Sequence, residues 1–193
     1  METFTTRQGQ RLIVRPLAEE DQSLLVDLFL RLSPDSRYQR FHVPMEHVSD
    51  EFLQQRASVM AHVDQINQVA LIALLPGDDG SRTAVAVARA HRLPGSTEAE
   101  AAIVVRDDFQ NQGVGRHMLR RLINTAVAVG ITAFKGYIQA DNRQMLHLLQ
   151  TMNLEYTQHI EQAETYVLIQ LHAVPLQGNA GGTTRVGAEP PRK

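Results

Sequence analysis

Two glycines lie between a strand-like run and a helical pattern, an arrangement suited to holding a phosphate group against the backbone. Residues 101–105 (AAIVV) are small, apolar and partly β-branched, as in a buried strand. Apolar side chains then recur every four residues, as on one face of a helix, at Val114, Met118, Leu122 and Ala126. Between them, Gly113 and Gly115 let the backbone approach a ligand without Cβ interference, and the unpaired amides of the first helical turn point toward it. The segment therefore predicts a site for a phosphorylated ligand, and pyrophosphate suits it well.

Two common phosphate-binding turns do not match this spacing. A P-loop requires Lys and then Ser or Thr after its last glycine, whereas Arg116 and His117 follow Gly115. A dinucleotide-binding turn requires a third glycine, where Met118 stands, and an acidic residue about 20 positions onward, where none occurs near Ala133. The first type of turn is excluded and the second is weakly supported.

A third pattern, Q/R-x-x-G-x-G/A, is met at every defined position by Gln110, Gly113 and Gly115. This pattern is typical of the GNAT acyltransferases, and the surrounding sequence EAEAAIVVRDDFQNQGVG resembles bacterial protein lysine acetyltransferases. The resemblance extends over most of the chain, from Arg15 through the segment 32–41 to the segment 141–146. The competing interpretation is that the two glycines only cap a structural turn.

The resemblance implies an α/β (α+β) GNAT fold, with a mixed central sheet of about seven strands, one splayed parallel pair, and about four flanking helices. The strand ending at Val105 and the strand beginning near Ala133 form that pair, and acetyl-CoA enters the gap as acyl donor. Backbone groups at Val104 and Val105 are expected to hold the pantetheine and orient the thioester carbonyl, whose oxygen gains negative charge during attack. The pyrophosphate is expected on the turn formed by Gln110, Asn111, Gln112, Gly113, Val114, Gly115 and Arg116.

Two of the expected CoA contacts have alternatives that the residues leave open. Arg116 either meets a phosphate or lies on a solvated helix face with Arg120. Asn142 resembles an asparagine that touches CoA in many GNATs, and it also suits the N-cap of the next helix.

Acetylation of an amine requires a base, because a lysine ε-amine, with a reference pKa of about 10.4, is protonated at neutral pH. Glu98 and Glu100 share one face of a strand by the two-residue period. The resembled family carries its catalytic glutamate in an A-E-x-A context, which is that of Glu100. Glu100 is therefore the expected base, with Glu98 or a merely solvated role as alternatives. Many relatives place a tyrosine as general acid on the helix after Asn142, but residues 145–150 contain none, so the acid is unassigned and water is an alternative.

The composition narrows the possible functions. One domain is expected over residues 1–174 of the 193, followed over 175–193 by a disordered tail with almost no large apolar residue. A formal net charge of −2 without a Lys/Arg cluster argues against nucleic-acid binding. Since neither a signal-peptide core nor an apolar run of membrane-spanning length occurs, no membrane partner and a cytoplasmic location are expected. The eight histidines lack the spacing of paired metal ligands, so no metal is assigned.

We interpret the chain as an N-acetyltransferase that moves acetyl from acetyl-CoA to an amine by direct attack in a ternary complex. The absence of cysteine rules out a thiol-based acyl-enzyme. The resemblance favours a protein lysine as acceptor, and the alternatives are a small amine, such as a polyamine or an antibiotic, or a non-catalytic acetyl-CoA sensor. The expected partners are acetyl-CoA and the amine, and a homodimer is left open.

Hydrophobic periodicity and turn residues predict the elements that position these groups. The predicted strands cover residues 12–16, 69–75, 83–93, 98–105, 133–138, 154–158 and 165–171. The predicted helices cover 19–32, 49–60, 142–152, and a segment from 114 to a C-cap at Gly130. The polar segment 33–38 is expected as a loop beside the acceptor site. There Arg37, Tyr38 and Arg40 meet negative charge on the acceptor, or Tyr38 and Phe41 only anchor the loop.

Overall fold

The computed structural model describes residues 1–41, 49–139, 142–161 and 164–173. Its strands are β1 (Glu2–Thr5), β2 (Arg11–Pro16), β3 (Gln68–Pro76), β4 (Arg82–Arg92), β5 (Glu98–Val105), β6 (Ala133–Gln139), β7 (Tyr156–Glu161) and β8 (Glu164–Gln170). Its α-helices are α1 (Gln22–Leu30), α2 (Pro34–Phe41), α3 (Asp50–Ala61), α4 (Val114–Ala128) and α5 (Arg143–Thr151). Single 3₁₀ turns cover Glu19–Asp21 and Asp107–Phe109. The predicted α/β class is confirmed, with one more strand and one more α-helix than expected in the described part of the chain.

All eight strands form one mixed sheet in the order β1-β2-β3-β4-β5-β6-β8-β7. Its neighbours pair antiparallel except β5 and β6, which are parallel. The parallel pairing covers only Glu98 with Ala133, Ala99 with Phe134, and Glu100 with Lys135. Beyond Glu100 the two strands have no paired positions, so the sheet opens into a gap at the carboxyl end of β5. The predicted splayed pair is confirmed.

The two faces of the sheet are covered by different helices. Helices α4 and α5 pack on one face, where Met118, Leu122 and Leu149 are buried. Helices α1 and α3 pack on the other face, where Phe29 and Leu53 are buried. Because side chains alternate along β5, its odd-numbered residues face α4 and its even-numbered residues face α1 and α3. Glu98 and Glu100 therefore lie on the α1–α3 face.

The segment 33–38, expected as a loop, instead begins helix α2, so this prediction is wrong. Ser33 acts as the N-cap, since its Oγ accepts a hydrogen bond from Ser36 N at 3.2 Å. Pro34 follows at the first helical position, where its missing N–H costs no hydrogen bond and its fixed φ suits the helix. Pro34 follows the predicted end of the first helix and lies in the first turn of the next.

The structure adds one strand to the prediction and does not describe the predicted tail. The short strand β1 was not predicted, because four residues at a sheet edge carry too little pattern. The expected tail from residue 175, with the domain boundary at 174, lies outside the described residues and stays a prediction. None of the described helices is both long and apolar enough to cross a membrane.

Candidate active site

The edge of β5 that faces β6 carries open backbone groups beyond the parallel pairing. Thr132 N donates to Thr97 O across this edge at 2.8 Å, and groups of alternate residues point the same way. By this alternation Ile103 and Val105 direct their N–H and C=O groups into the gap. Val104 instead directs its backbone toward β4, where it is paired. Ile103, Val104 and Val105 line one cavity, and by this alternation the backbone of Ile103 faces the gap as that of Val105 does. The expected contact of Val104 with pantetheine stays a prediction.

The glycine turn is built by two left-handed residues that precede α4. Asn111 has φ 58° and Gly113 has φ 88°, and asparagine and glycine are the residues that adopt this region most readily. The first helical hydrogen bond runs from His117 N to Gly113 O at 3.0 Å. The amides of Val114 and Gly115 precede this bond, so no helical carbonyl accepts from them. Such a turn, with the positive end of the macrodipole behind it, is chemically suited to an anion.

The side chains of Gln112 and Val114 do not belong to the cleft. Gln112 is buried, and its Nε2 donates to Asp108 O at 2.6 Å, which holds the turn together. Val114 is 1 % exposed and packs in the core beneath the turn. Gln112 therefore supports the turn from behind, and Val114 can meet a ligand through its amide alone.

Gln110 links the glycine turn to both β5 and α2. Its Nε2 donates to Val105 O at 3.1 Å and to Ser36 Oγ at 3.2 Å. Asp107 completes the link, because its carboxylate accepts from Ser33 N at 2.9 Å, Ser33 Oγ at 2.7 Å and Ser36 Oγ at 2.8 Å. Helix α2 is therefore fixed at its N-terminus to the segment that carries the turn.

Two arginines give the turn a positive environment. Arg7 and Arg116 line a cavity of about 240 Å³ together with Gln110, Gly113 and Gly115. Arg7 Nη1 donates to Asn111 O at 3.3 Å, and Arg116 Nη1 donates to Thr151 O at 3.1 Å. Arg116 is half-buried. The space that these residues line is called the turn cavity below.

The positive charge of Arg116 is destabilised by its surroundings. Burial lowers the pKa of Arg116, and the neighbouring charges of Arg120 and Arg7 lower it further. A bound anion would relieve this repulsion, because an opposite charge favours the charged form. The turn cavity is therefore electrostatically complementary to phosphate groups.

Sequence reasoning did not identify Arg7, because nothing in its local sequence marks it. Its position follows from β1, which packs on α4 through Phe4 stacked on His117 at 4.4 Å between ring centroids. Glu2 contacts the same helix, with Oε2 2.9 Å from Arg121 Nε and Oε1 3.4 Å from His117 Nε2. The turn after β1 then brings Arg7 to the turn cavity from more than one hundred residues away in sequence.

A second cavity, of about 480 Å³ and called the gap cavity, occupies the opening between β5 and β6. Its walls include Phe52 of α3 and Leu149 of α5, which lie on opposite faces of the sheet. The cavity therefore passes through the gap. It shares Ile103 and Asn142 with the turn cavity, so the two spaces adjoin.

Asn142 stands at this junction and also serves as the N-cap of α5. Its Oδ1 accepts from Met145 N at 3.0 Å, and its side chain contributes to both cavities. The two interpretations of this residue are compatible, because a capping side chain still presents its amide nitrogen to a neighbour.

Glu100 lines the gap cavity, whereas Glu98 is held in an ion pair. The carboxylate of Glu98 contacts Lys135 Nζ, and this hydrogen bond raises the pKa of Lys135. Glu100 is exposed toward the cavity and lies in the electrostatic field of Arg40 and Arg89. Of the two glutamates, Glu100 is the one placed to exchange a proton with a group in the gap.

Metal ligands were also sought in the described residues. No group of three or more His, Asp or Glu side chains there has a geometry that would hold a metal ion. His42 and His47, two of the histidines in the chain, lie outside the described residues.

Comparisons with known proteins agree with this geometry. Residues 11–155 match the family model described as an acetyltransferase (GNAT) domain. The chain is 29% identical over 140 residues to Acetyltransferase PA5475 of Pseudomonas aeruginosa, covering 72% of this chain and 73% of that protein. Among solved structures, the GNAT domain of S. lividans PAT superposes with a TM-score of 0.74 at 24% identity, covering 88% of this chain and 96% of that one. The structure of yncA from Salmonella typhimurium with its cofactor acetyl-CoA gives a TM-score of 0.61 at 15% identity, covering 89% and 99%. With the family model spanning most of its length, the chain belongs to the GNAT acetyltransferases, enzymes whose acyl donor is acetyl-CoA.

Proposed function

We propose that this acetyltransferase transfers acetyl from acetyl-CoA directly to the side-chain amine of a protein lysine in the gap cavity, with Glu100 as base. One observation carries the proposal: the turn cavity, with its cationic groups and open amides, adjoins the cavity that contains Glu100. A donor bound along the first cavity would place its acyl end in the second.

The donor is proposed to lie with its pyrophosphate on the amides that follow Gly113 and its pantetheine along the open edge of β5. Arg7 and Arg116 supply the countercharge for the phosphates. The thioester carbonyl then meets a backbone N–H of Ile103 or Val105. This N–H group is already positioned to donate a hydrogen bond to the thioester oxygen, which becomes negative when the amine attacks.

The transfer needs one base and one proton donor. Glu100 removes a proton from the acceptor ammonium, the free amine nitrogen forms a bond to the acyl carbon, and the carbon–sulfur bond breaks. The second amine proton passes to water as the amide forms, and the departing thiolate of CoA takes a proton from water. No tyrosine lies on α5, so the proton donor that many relatives place on this helix is missing there.

A protein lysine is supported as acceptor by two considerations. The gap cavity extends through the sheet to the α1–α3 face, where a long unbranched side chain could reach Glu100. The sequence EAEAAIVVRDDFQNQGVG also resembles bacterial protein lysine acetyltransferases. The cytoplasmic location and the oligomeric state stay predictions.

Initial-rate kinetics test the proposed direct transfer. Varying acetyl-CoA at several concentrations of a lysine-containing peptide should give intersecting double-reciprocal lines, as a ternary complex requires. Parallel lines, with a stable acetyl-enzyme seen by mass spectrometry, would contradict direct attack. If acetyl-CoA binds but no peptide and no polyamine releases CoA, the domain is a sensor rather than an enzyme.

A further inference from the structure

Two arginines line the gap cavity close to Glu100, and the chemistry proposed above makes no use of them. Arg40, at the end of α2, and Arg56, on α3, both belong to its wall. Their guanidinium carbons lie 5.1 Å from the ring centroid of Phe41 and 5.2 Å from that of Phe52, so each rests on a neighbouring aromatic ring. These contacts fix the two positive charges at the rim through which an acceptor would enter from the α1–α3 face.

Within the part of the chain that the structure describes, the positive charge at this rim is only partly balanced. Burial lowers the pKa of Arg40 to about 10, Arg89 and Arg56 lower it too, and Glu100 opposes the shift. Burial likewise lowers the pKa of Arg89, and the negative charge of Glu100 opposes this shift. Among the side chains that the structure describes, no carboxylate forms an ion pair with Arg40 or Arg56. Among the described residues, Glu100 is the carboxylate that offsets the charges of Arg40 and Arg89. As the base, Glu100 gives up its charge when it accepts a proton.

This arrangement is unfavourable for an acceptor that carries only positive charge. A polyamine or a lysine in a basic segment would bring further cations toward Arg40 and Arg56. An acceptor with a carboxylate beside its amine would instead place the negative group between the two guanidiniums, while the amine faces Glu100. The geometry of the rim therefore selects by charge.

We infer that the acceptor is a lysine flanked by acidic residues, and that Arg40 and Arg56 bind the flanking carboxylate. This inference rests on the proposed function, since it specifies the acceptor of the same site. Arg56 is the better residue to test, because it is exposed on α3 and lines the gap cavity but not the turn cavity. Arg40 lines both cavities, so a change there would also affect the proposed acetyl-CoA site.

The experiment compares three synthetic peptides with one central lysine, flanked by Asp, by Ser or by Arg. Their kcat/KM is measured from acetyl-peptide formation with the full chain and acetyl-CoA. The Asp peptide should exceed the Ser peptide by roughly ten-fold, about the value of a partly desolvated charge-assisted contact, and the Arg peptide should be poorest. The difference should shrink at high salt, because Arg56 is exposed to solvent.

Variants of the rim separate this inference from a general effect of charge. Arg56→Gln should remove most of the preference, and Arg56→Glu should reverse it in favour of the Arg peptide. Arg11→Gln, an exposed arginine on β2, is the matched control and should keep the wild-type preference. Circular dichroism and unchanged KM for acetyl-CoA establish that each variant is folded and binds its donor.

The outcomes test the preference for acidic flanking residues separately from the acetylation of a protein lysine. Equal kcat/KM for the three peptides, or a preference for Arg flanks, would overturn the inference and leave lysine acetylation standing. A second outcome is that no peptide is acetylated, but a small amine with a carboxylate is acetylated faster than the same amine with a carboxamide in its place. The rim would then select anions, and the proposal of a protein lysine as acceptor would be wrong. Absence of acetylation with every amine would overturn both.

Discussion

Glu98 is ion-paired with Lys135, the residue that stands opposite Glu100 in the last parallel pair of β5 and β6. The two glutamates share one face of the strand, yet the pairing occupies only the first of them. This relationship separates two residues that the sequence alone left as alternatives for the base. It also places Glu100 where the parallel pairing ends and the gap begins.

The first prediction compares the two glutamates. Glu100→Gln should lower kcat by roughly 10²- to 10⁴-fold at neutral pH, the usual contribution of a positioned base, while the affinity for acetyl-CoA stays nearly unchanged. Raising the pH should recover part of the rate, because more of the acceptor amine is then neutral. Glu98→Gln is the matched variant and should keep most of the turnover. If Glu98→Gln loses most of its kcat and Glu100→Gln keeps it, Glu98 is the base.

The second prediction concerns the glycine turn. Gly115→Glu should abolish acetyl-CoA binding, because its carboxylate would lie where the pyrophosphate binds and would repel it. Gly115→Ala is the control: an added Cβ would lie 3.7 Å from Leu148 Cδ2 and 3.8 Å from Val105 Cγ2, which are ordinary contacts. Calorimetry with acetyl-CoA checks both variants.

Position 115 is preferred to position 113 for this test. Gly113 has φ 88°, so any side chain there adds backbone strain of about 1–2 kcal/mol to the effect of charge. Full acetyl-CoA affinity in a folded Gly115→Glu protein would refute the assignment of this turn to the pyrophosphate.

The third prediction concerns Arg7, which the sequence did not reveal. Arg7→Gln should weaken acetyl-CoA binding by roughly 10- to 100-fold, the usual value of hydrogen bonds to a charged group. It should leave binding of acetyl-pantetheine, which lacks the nucleotide and pyrophosphate, unchanged. Arg11→Gln again serves as the control. Equal losses with both donors would mean that Arg7 only stabilises the N-terminal strand.

The fourth prediction is a pH dependence of stability at Asp107. Although burial raises its pKa, hydrogen bonds from Ser33 and Ser36 outweigh this, and the pKa of Asp107 is lowered. A lowered pKa in the folded state contributes stability above the unfolded-state value, about 3.9, and this stability is lost as the pH falls through the folded-state value. Asp107→Asn should therefore lower the Tm at neutral pH, and the difference should vanish in strong acid.

Asp78→Asn, in the exposed β3–β4 turn, is the matched control for the thermal measurements. Because Asp107 fixes the N-terminus of α2, Asp107→Asn should also raise KM for the acceptor more than KM for acetyl-CoA. A Tm difference that is constant with pH would contradict the assigned role of the carboxylate.

The fold could be predicted from local patterns wherever those patterns were strong. The helix predicted from residue 49 is capped by Ser49, whose Oγ accepts from Phe52 N at 3.2 Å. Gly130 was expected as a left-handed C-cap, and its φ is 77°. Helix α2 was missed because Ser33 and Pro34 indicate the end of one helix and the beginning of another equally well, and only packing decides between them.

The site was predictable to the extent that it is contiguous in sequence. The turn from Gln110 to Arg116 is one segment, and its spacing indicated its chemistry. Arg7, Arg40 and Arg56 come from three other elements, and their convergence depends on how those elements pack. Which backbone groups of β5 face the gap depends on which edge of the strand is paired, and the residue types do not encode this.

Transfer of acetyl from acetyl-CoA to a lysine beside Glu100 can be tested by counting both products of the reaction. CoA thiol released and acetyl groups found on an Asp-flanked lysine peptide are counted in the same reaction, for the wild-type chain and for Glu100→Gln. We predict that the two counts are equal in the wild type and fall together in the variant. Release of CoA without acetylated peptide, or an unchanged rate in Glu100→Gln, would contradict the account.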